Sequence, residues 1–124
     1  MIERLKKRRD FLAASKGRKT GSRAFLLETR RREDDAPARF GFTVSKRTAK
    51  AAVERNRIRR RLREATRLAA PEHARPGHDY VLVGRRAALT EPFPDLTCAL
   101  AAALTEASGD ARQGRRTRAQ RPTS

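Results

Sequence analysis

The spacing of hydrophobic positions changes several times along the chain, and each change marks an element. Phe40-Gly41-Phe42-Thr43-Val44-Ser45 alternates large apolar with small or polar residues, the period of two expected of a strand with one buried face. Tyr80-Val81-Leu82-Val83 is continuously apolar, as in a strand covered on both sides. Between them, Arg47 to Ala70 is dominated by Ala, Arg, Glu and Leu and holds no Gly or Pro until Pro71, which predicts a helix. The segment PEHARPGH, from Pro71, then breaks it. A strand, a helix and a strand in that order form a crossover unit with parallel strands.

The flanks are read the same way. Phe25-Leu26-Leu27 is a short apolar run that ends in RRREDDAPAR, a polar patch suited to a connection between strands. A helix over Arg8 to Ser15 would turn Phe11 and Leu12 toward the sheet. The last helix starts near Pro92, and Phe93, Leu96, Leu100 and Leu104 share one stripe at spacings of three or four. The predicted order is helix, strand, strand, helix, strand, helix: an α+β sandwich. Either the short first run or the RRRED connection could conceal one more strand.

Length and charge narrow the function. A chain of 124 residues fits one domain plus tails, here 1–108 and a disordered basic tail, 109–124, in which no side chain is larger in apolar bulk than alanine. Thirty-one Lys and Arg against 14 Asp and Glu give a formal charge of +17, for which a polyanion is the natural counterpart. No apolar run approaches the roughly 18 residues of a membrane span, and MIERLKKRRDF lacks a signal peptide's apolar stretch. The chain therefore reads as soluble and cytoplasmic, with no membrane and no obligate protein partner.

The charge is concentrated in ERNRIRRRLRE, Glu54 to Glu64, where six of eleven residues are arginine. Projected on a helix advancing about 100° per residue, Ile58, Leu62, Ala65 and Ala69 share a stripe that must face the sheet. Asn56, Arg60, Arg63 and Arg67 lie opposite, flanked by Arg57 and Arg59. Ordinary exposed helices intersperse acids with bases; here the like charges repel, and a bound anion relieves them. Arginine grips phosphate bidentately and stacks on bases, and Asn56 can donate and accept. A structured RNA uses all of these capacities, although duplex DNA also fits the pattern.

Catalytic chemistry is poorly represented. His73 and His78 sit in the Pro-rich break with only Glu72 and Asp79 beside them, and no nucleophile has a base. Cys98, beside the Leu96/Leu100 stripe, is expected to pack as a small apolar residue. Composition thus leaves three classes open: an RNA-bearing enzyme's subunit, a ribosomal-type structural RNA-binding protein and a DNA-binding architectural protein.

Phe42-Thr43-Val44-Ser45-Lys46-Arg47, followed by Ala51-Ala52-Val53 and the Glu54 to Glu64 run, resembles the signature of the bacterial ribonuclease P protein component. The resemblance extends to Arg4-Leu5-Lys6-Lys7 with Asp10-Phe11, and to Asp79-Tyr80-Val81-Leu82-Val83 with Arg85-Arg86, covering roughly residues 4–107. It implies a small α/β sandwich with a central, mostly antiparallel sheet and a β-α-β crossover that is left-handed in the family. It also implies partnership with a catalytic RNA that removes 5′ leaders from precursor tRNA by Mg²⁺-dependent hydrolysis, the chemistry belonging to the RNA and its metal ions.

By the same resemblance Arg55, Asn56, Arg57, Arg59, Arg60 and Arg63 face RNA, prolonged by Lys46 and Arg47, with Arg67 on the projected stripe. The leader would lie in a cleft between the first helix and the outward sheet face, at Phe11, Leu26 and Glu28. There Phe11 either stacks on a base or packs in the core. Ser15 stands where many relatives have a second aromatic residue, and Glu28 where some have tyrosine. Glu28 would repel a phosphate chain unless it meets a cation or a base-edge donor. Which residues, if any, hold metal is left open.

Overall fold

The computed structural model describes residues 2–108; the basic tail lies outside them. Nine elements follow in order: strand β1 (Ile2–Arg4), helix α1 (Arg8–Ser15), β2 (Arg18–Gly21), β3 (Phe25–Arg31), β4 (Ala38–Thr43), α2 (Ala52–His73), β5 (His78–Gly84), a 3-10 turn (Arg86–Leu89) and α3 (Phe93–Ser108). The strands form one sheet in the order β1-β4-β5-β3-β2. β4 and β5 are parallel and joined through α2, as the strand-helix-strand pattern requires, and β1 is parallel to β4. β3 runs antiparallel to both β5 and β2, and its seven-residue pairing with β5, Phe25↔Gly84 to Arg31↔His78, is the longest.

Alternation within the strands assigns two faces. Phe25, Leu27, Phe40, Tyr80 and Leu82 are buried on one, against Ile58, Leu62, Ala65 and Ala69 of α2 and Leu96, Leu100 and Leu104 of α3. Phe40 and Tyr80 stack with ring centroids 4.9 Å apart. A Cβ on Gly84 would stand 2.6 Å from Ile58 Cγ2, so the bare backbone there lets α2 seat. The opposite face carries α1 and a smaller cluster of Leu5, Ala14 and Val81, with Phe11 and Val83 packed on it.

Several expectations are corrected. α2 begins at Ala52 rather than Arg47: the Ser45 hydroxyl accepts the Thr48 N–H at 3.1 Å and turns the chain first. It also runs through Pro71 to His73, because the proline falls in the last turn on an exposed side and the Ala74 N–H still reaches the Ala70 carbonyl at 2.9 Å. The RRRED patch is no simple connection, since Arg30 and Arg31 belong to β3, opposite Asp79 and His78. Leu12 points away from the sheet and is half exposed, while Asp10 takes the buried position. Both short edge strands, β1 and β2, are additional to the predicted order.

Candidate nucleic-acid interface

The apolar stripe of α2 fixes what its other side shows. With Ile58, Leu62, Ala65 and Ala69 buried, Asn56, Arg57, Arg60, Arg63 and Arg67 are exposed and Arg59 is half-buried. Arg59 donates to Asn56 Oδ1 at 2.8 Å, which orients the amide. The Arg63 guanidinium lies 5.6 Å from the centroid of the Phe42 ring on β4, a cation–π contact that steadies a long side chain at the helix–sheet boundary. Among the described residues no carboxylate pairs with Arg57, Arg60 or Arg63. Lys46 and Arg47 are exposed in the turn leading to the helix.

Two members of the arginine run are engaged inside the protein. Arg55, expected to face RNA, donates to the carbonyls of Ala49 and Lys50 at 2.9 and 2.7 Å and secures the turn before α2. Arg61 donates to the carbonyls of Ala88 and Glu91 at 2.5 and 2.6 Å, anchoring the 3-10 turn. The two acids of the segment are also used: Glu54 pairs with Arg86 at 3.2 Å, and Glu64 bonds Arg67. That bond holds the Glu64 carboxyl below its ordinary range and raises Arg67, so Arg67 is the partly neutralised end of the exposed row.

On the other sheet face, register brings the expected cleft residues into rows. Glu28, Val81 and Gly41 form one row across β3, β5 and β4, and Leu26, Val83 and Thr43 form the next. Phe11 of α1 lies over Gly41, where any Cβ would overlap its ring. The ring is half-buried against the Leu5 and Val81 cluster, so it packs while keeping part of its surface accessible. Leu26 and Glu28 are half-buried on the same face. Glu28 meets Lys19 of β2 at 3.6 Å, the cation its charge called for.

The family model for ribonuclease P matches residues 2–108. The chain is similar to the ribonuclease P protein component of Caulobacter vibrioides, 45% identical over 114 residues, covering 91% of this chain and 76% of the relative. That of Brucella suis is 43% identical over 129 residues, covering 98% and 90%. The chain belongs to the ribonuclease P protein family. The fold agrees: the ribonuclease P protein from Thermotoga maritima superposes with a TM-score of 0.72 at 27% identity, over 86% of this chain and 99% of that one. Family membership carries the role of a ribonuclease P protein component and decides against the ribosomal-type and DNA-binding alternatives.

One prominent cluster in this ribonuclease P family member was not found from sequence. Asp79, with no exposed surface, accepts from Arg39 Nε and Nη2, both at 2.8 Å, and is bonded by Arg32. Burial pushes its carboxyl up, but the hydrogen bonds from Arg39 and Arg32 outweigh burial and leave it below the usual carboxylate range. Arg32 also reaches Asp34 and the carbonyls of Ala36, Pro37 and His78, which folds the 32–37 connection onto β5. The strand register Arg30↔Asp79↔Arg39 is the signal that sequence alone lacks.

The histidines are also accounted for. His73 Nδ1 is 3.1 Å from Thr105 Oγ1 and links α2 to α3; His78 Nδ1 is 2.9 Å from the Pro76 carbonyl, and its ring stacks on Tyr80. Among the described residues no three His, Cys, Asp or Glu converge as metal ligands. Cys98 is exposed, not packed, because α3 turns Leu96 and Leu100 inward and leaves position 98 on the outer side.

Proposed function

We propose that the exposed α2 face, Asn56, Arg57, Arg59, Arg60, Arg63 and Arg67, with Lys46 and Arg47, binds the catalytic ribonuclease P RNA. On this reading the RNA and its Mg²⁺ ions cleave the 5′ leader from precursor tRNA in the cytoplasm. The observation that carries the reading is the row of exposed guanidinium groups at Arg57, Arg60 and Arg63, which no described carboxylate neutralises. Each can take a phosphate bidentately, and their mutual repulsion is relieved only by an anion. On the same reading Mg²⁺ is held by the RNA subunit. Among the described residues, no helix is long and apolar enough to cross a membrane.

The second half of the reading concerns the substrate. Phe11 offers a partly accessible ring for a single-stranded base, and Leu26 and Val83 offer an apolar floor on which bases exclude water. Lys19 offsets Glu28 beside them, so a leader passing this groove does not meet an unpaired carboxylate. Ser15 supplies no second ring, and stacking rests on Phe11. The test is cleavage of a leader-bearing precursor tRNA by a bacterial ribonuclease P RNA at low Mg²⁺, with and without the protein. The protein accelerates 5′ cleavage and cleaves nothing by itself; no acceleration would overturn the proposal.

A further inference from the structure

α1 divides its sheet face in two. Its Phe11 ring covers Gly41 in the middle row, and on one side lies the Leu26–Val83–Thr43 row. On the other, two rows away, Arg30 and Arg39, which flank Asp79 in their row, floor a cavity of about 530 Å³. Four residues along the strand separate those two rows, about 13 Å. The cavity is walled by the β1–α1 segment and the 32–37 connection, and seven of its lining side chains are cationic against three carboxylates, Glu3, Asp10 and Asp34.

The bonding within the cluster separates structural arginines from available ones. All five N–H groups of Arg32 are engaged, by Asp34, Asp79 and three backbone carbonyls, so Arg32 is wall and not ligand. Arg39 gives Nε and one Nη2 hydrogen to Asp79 and stands 3.6 Å from Asp10 through Nη1, which leaves donors directed elsewhere. Arg30 touches Asp10 only at 3.7 Å, longer than a hydrogen bond. Two half-buried guanidinium groups are thus held in position by carboxylates that do not use up their donors. At the rim Arg4, Lys6, Lys7 and Arg9 are exposed, and none of them pairs with a described carboxylate.

We propose that this cavity is a further RNA site, taking one or two phosphodiester groups between Arg30 and Arg39 at its floor and the Lys6 to Arg9 rim. It rests on the proposed role in RNA binding but not on α2, which packs against the opposite face of the sheet. Preorganisation is the reason to choose phosphate. An anion entering here meets arginines already ordered by Asp10 and Asp79 and loses little of its gain to fixing them. The volume falls within the range of ligand pockets and admits a phosphate with its sugar. A strand rounding α1 from the Phe11 groove would reach it, and so would a loop of the catalytic RNA.

The experiment uses the full chain and two double variants of equal charge change, K6Q/R9Q at the rim and R23Q/R75Q at exposed positions elsewhere. Binding is measured against salt for a labelled single-stranded RNA oligonucleotide in one arm and for the folded catalytic RNA in the other. K6Q/R9Q flattens the slope of log affinity against log salt by about one to two units more than R23Q/R75Q in at least one arm. A difference in the oligonucleotide arm assigns the site to the leader, and one in the other arm assigns it to the catalytic RNA. Equal slopes for the two variants in both arms overturn the site. Neither arm depends on cleavage, so failure of the cleavage assay and failure of this site are read separately.

Discussion

The protein keeps arginines in two opposed environments. On α2, Arg57, Arg60 and Arg63 stand in solvent and pair with no described carboxylate, Glu64 being taken by Arg67. Across the sheet, Arg32 and Arg39 converge on Asp79, which has no exposed surface, and Arg30 and Arg39 approach Asp10, which is 8% exposed. The side chain is the same; the partner decides its work. Where a buried carboxylate is supplied, arginine ties a loop and a helix to the sheet, and at Arg30 and Arg39 it keeps donors to spare. Where none is, its charge is available to a ligand. Breaking the contacts to the buried carboxylates should destabilise the fold, and removing the unpaired arginines of α2 should only release RNA.

The largest effect follows from Asp79. Asp79→Asn leaves Arg32 and Arg39 facing a neutral amide in a buried site and should cost about 3 kcal/mol, read as a lower urea midpoint at an unchanged denaturant slope. A loss below about 0.5 kcal/mol would mean that the arginines find other partners. The wild type should show the same dependence through pH. The Asp79 carboxyl titrates lower in the folded chain than in the unfolded one, so its stabilisation is complete above the ordinary value near 4 and is lost as pH falls through the lower folded value. Acid unfolding of Asp79→Asn should be correspondingly shallower.

The same contrast explains what could be read from sequence. β4, β5, α2 and α3 declare themselves because their apolar residues repeat with the period of the element. α1 does not: Phe11 and Leu12 are about 100° apart on a helix and cannot both face the sheet, and Asp10 competes for the buried place because Arg30 and Arg39 await it. The end of β3 was hidden for a related reason. Arg30 and Arg31 look like loop residues until Asp79 and His78 are placed opposite them, a case of tertiary contact overriding propensity. β1 and β2 are edge strands of three and four residues, too short to show alternation.

On α2, position around the helix correctly placed Arg57, Arg60, Arg63 and Arg67 in solvent. It could not show that the carbonyls at 49 and 50 wait for Arg55, or those at 88 and 91 for Arg61. Backbone acceptors leave no trace in a residue pattern. The adjacent pair Arg60 and Arg61 therefore provides a sharper cut within a single helix turn. Arg61→Ala should cost about 2 kcal/mol, since two carbonyls lose a charged donor, and should barely alter the salt dependence of RNA binding. Arg60→Ala with Arg63→Ala should stay within about 0.5 kcal/mol of wild-type stability and flatten the log affinity against log salt slope by about one to two units. If the two readouts exchange places, the division of the helix is wrong.

The smallest expected effect tests the place on α2 where the two environments mix. Arg67 belongs to the exposed row yet is bonded by Glu64, the acid that interrupts it on the solvent side. If exposed arginines serve RNA, Glu64 restrains one of them, and Glu64→Gln should free Arg67 without disturbing the fold. RNA affinity should then rise modestly, with the salt slope steeper by less than about one unit, and the urea midpoint should not move. Arg67→Ala in the Glu64→Gln background should cancel the gain, because the added charge acts through that guanidinium. A gain that survives the second substitution would assign it to lower overall negative charge and would end the claim that Arg67 belongs to the interface.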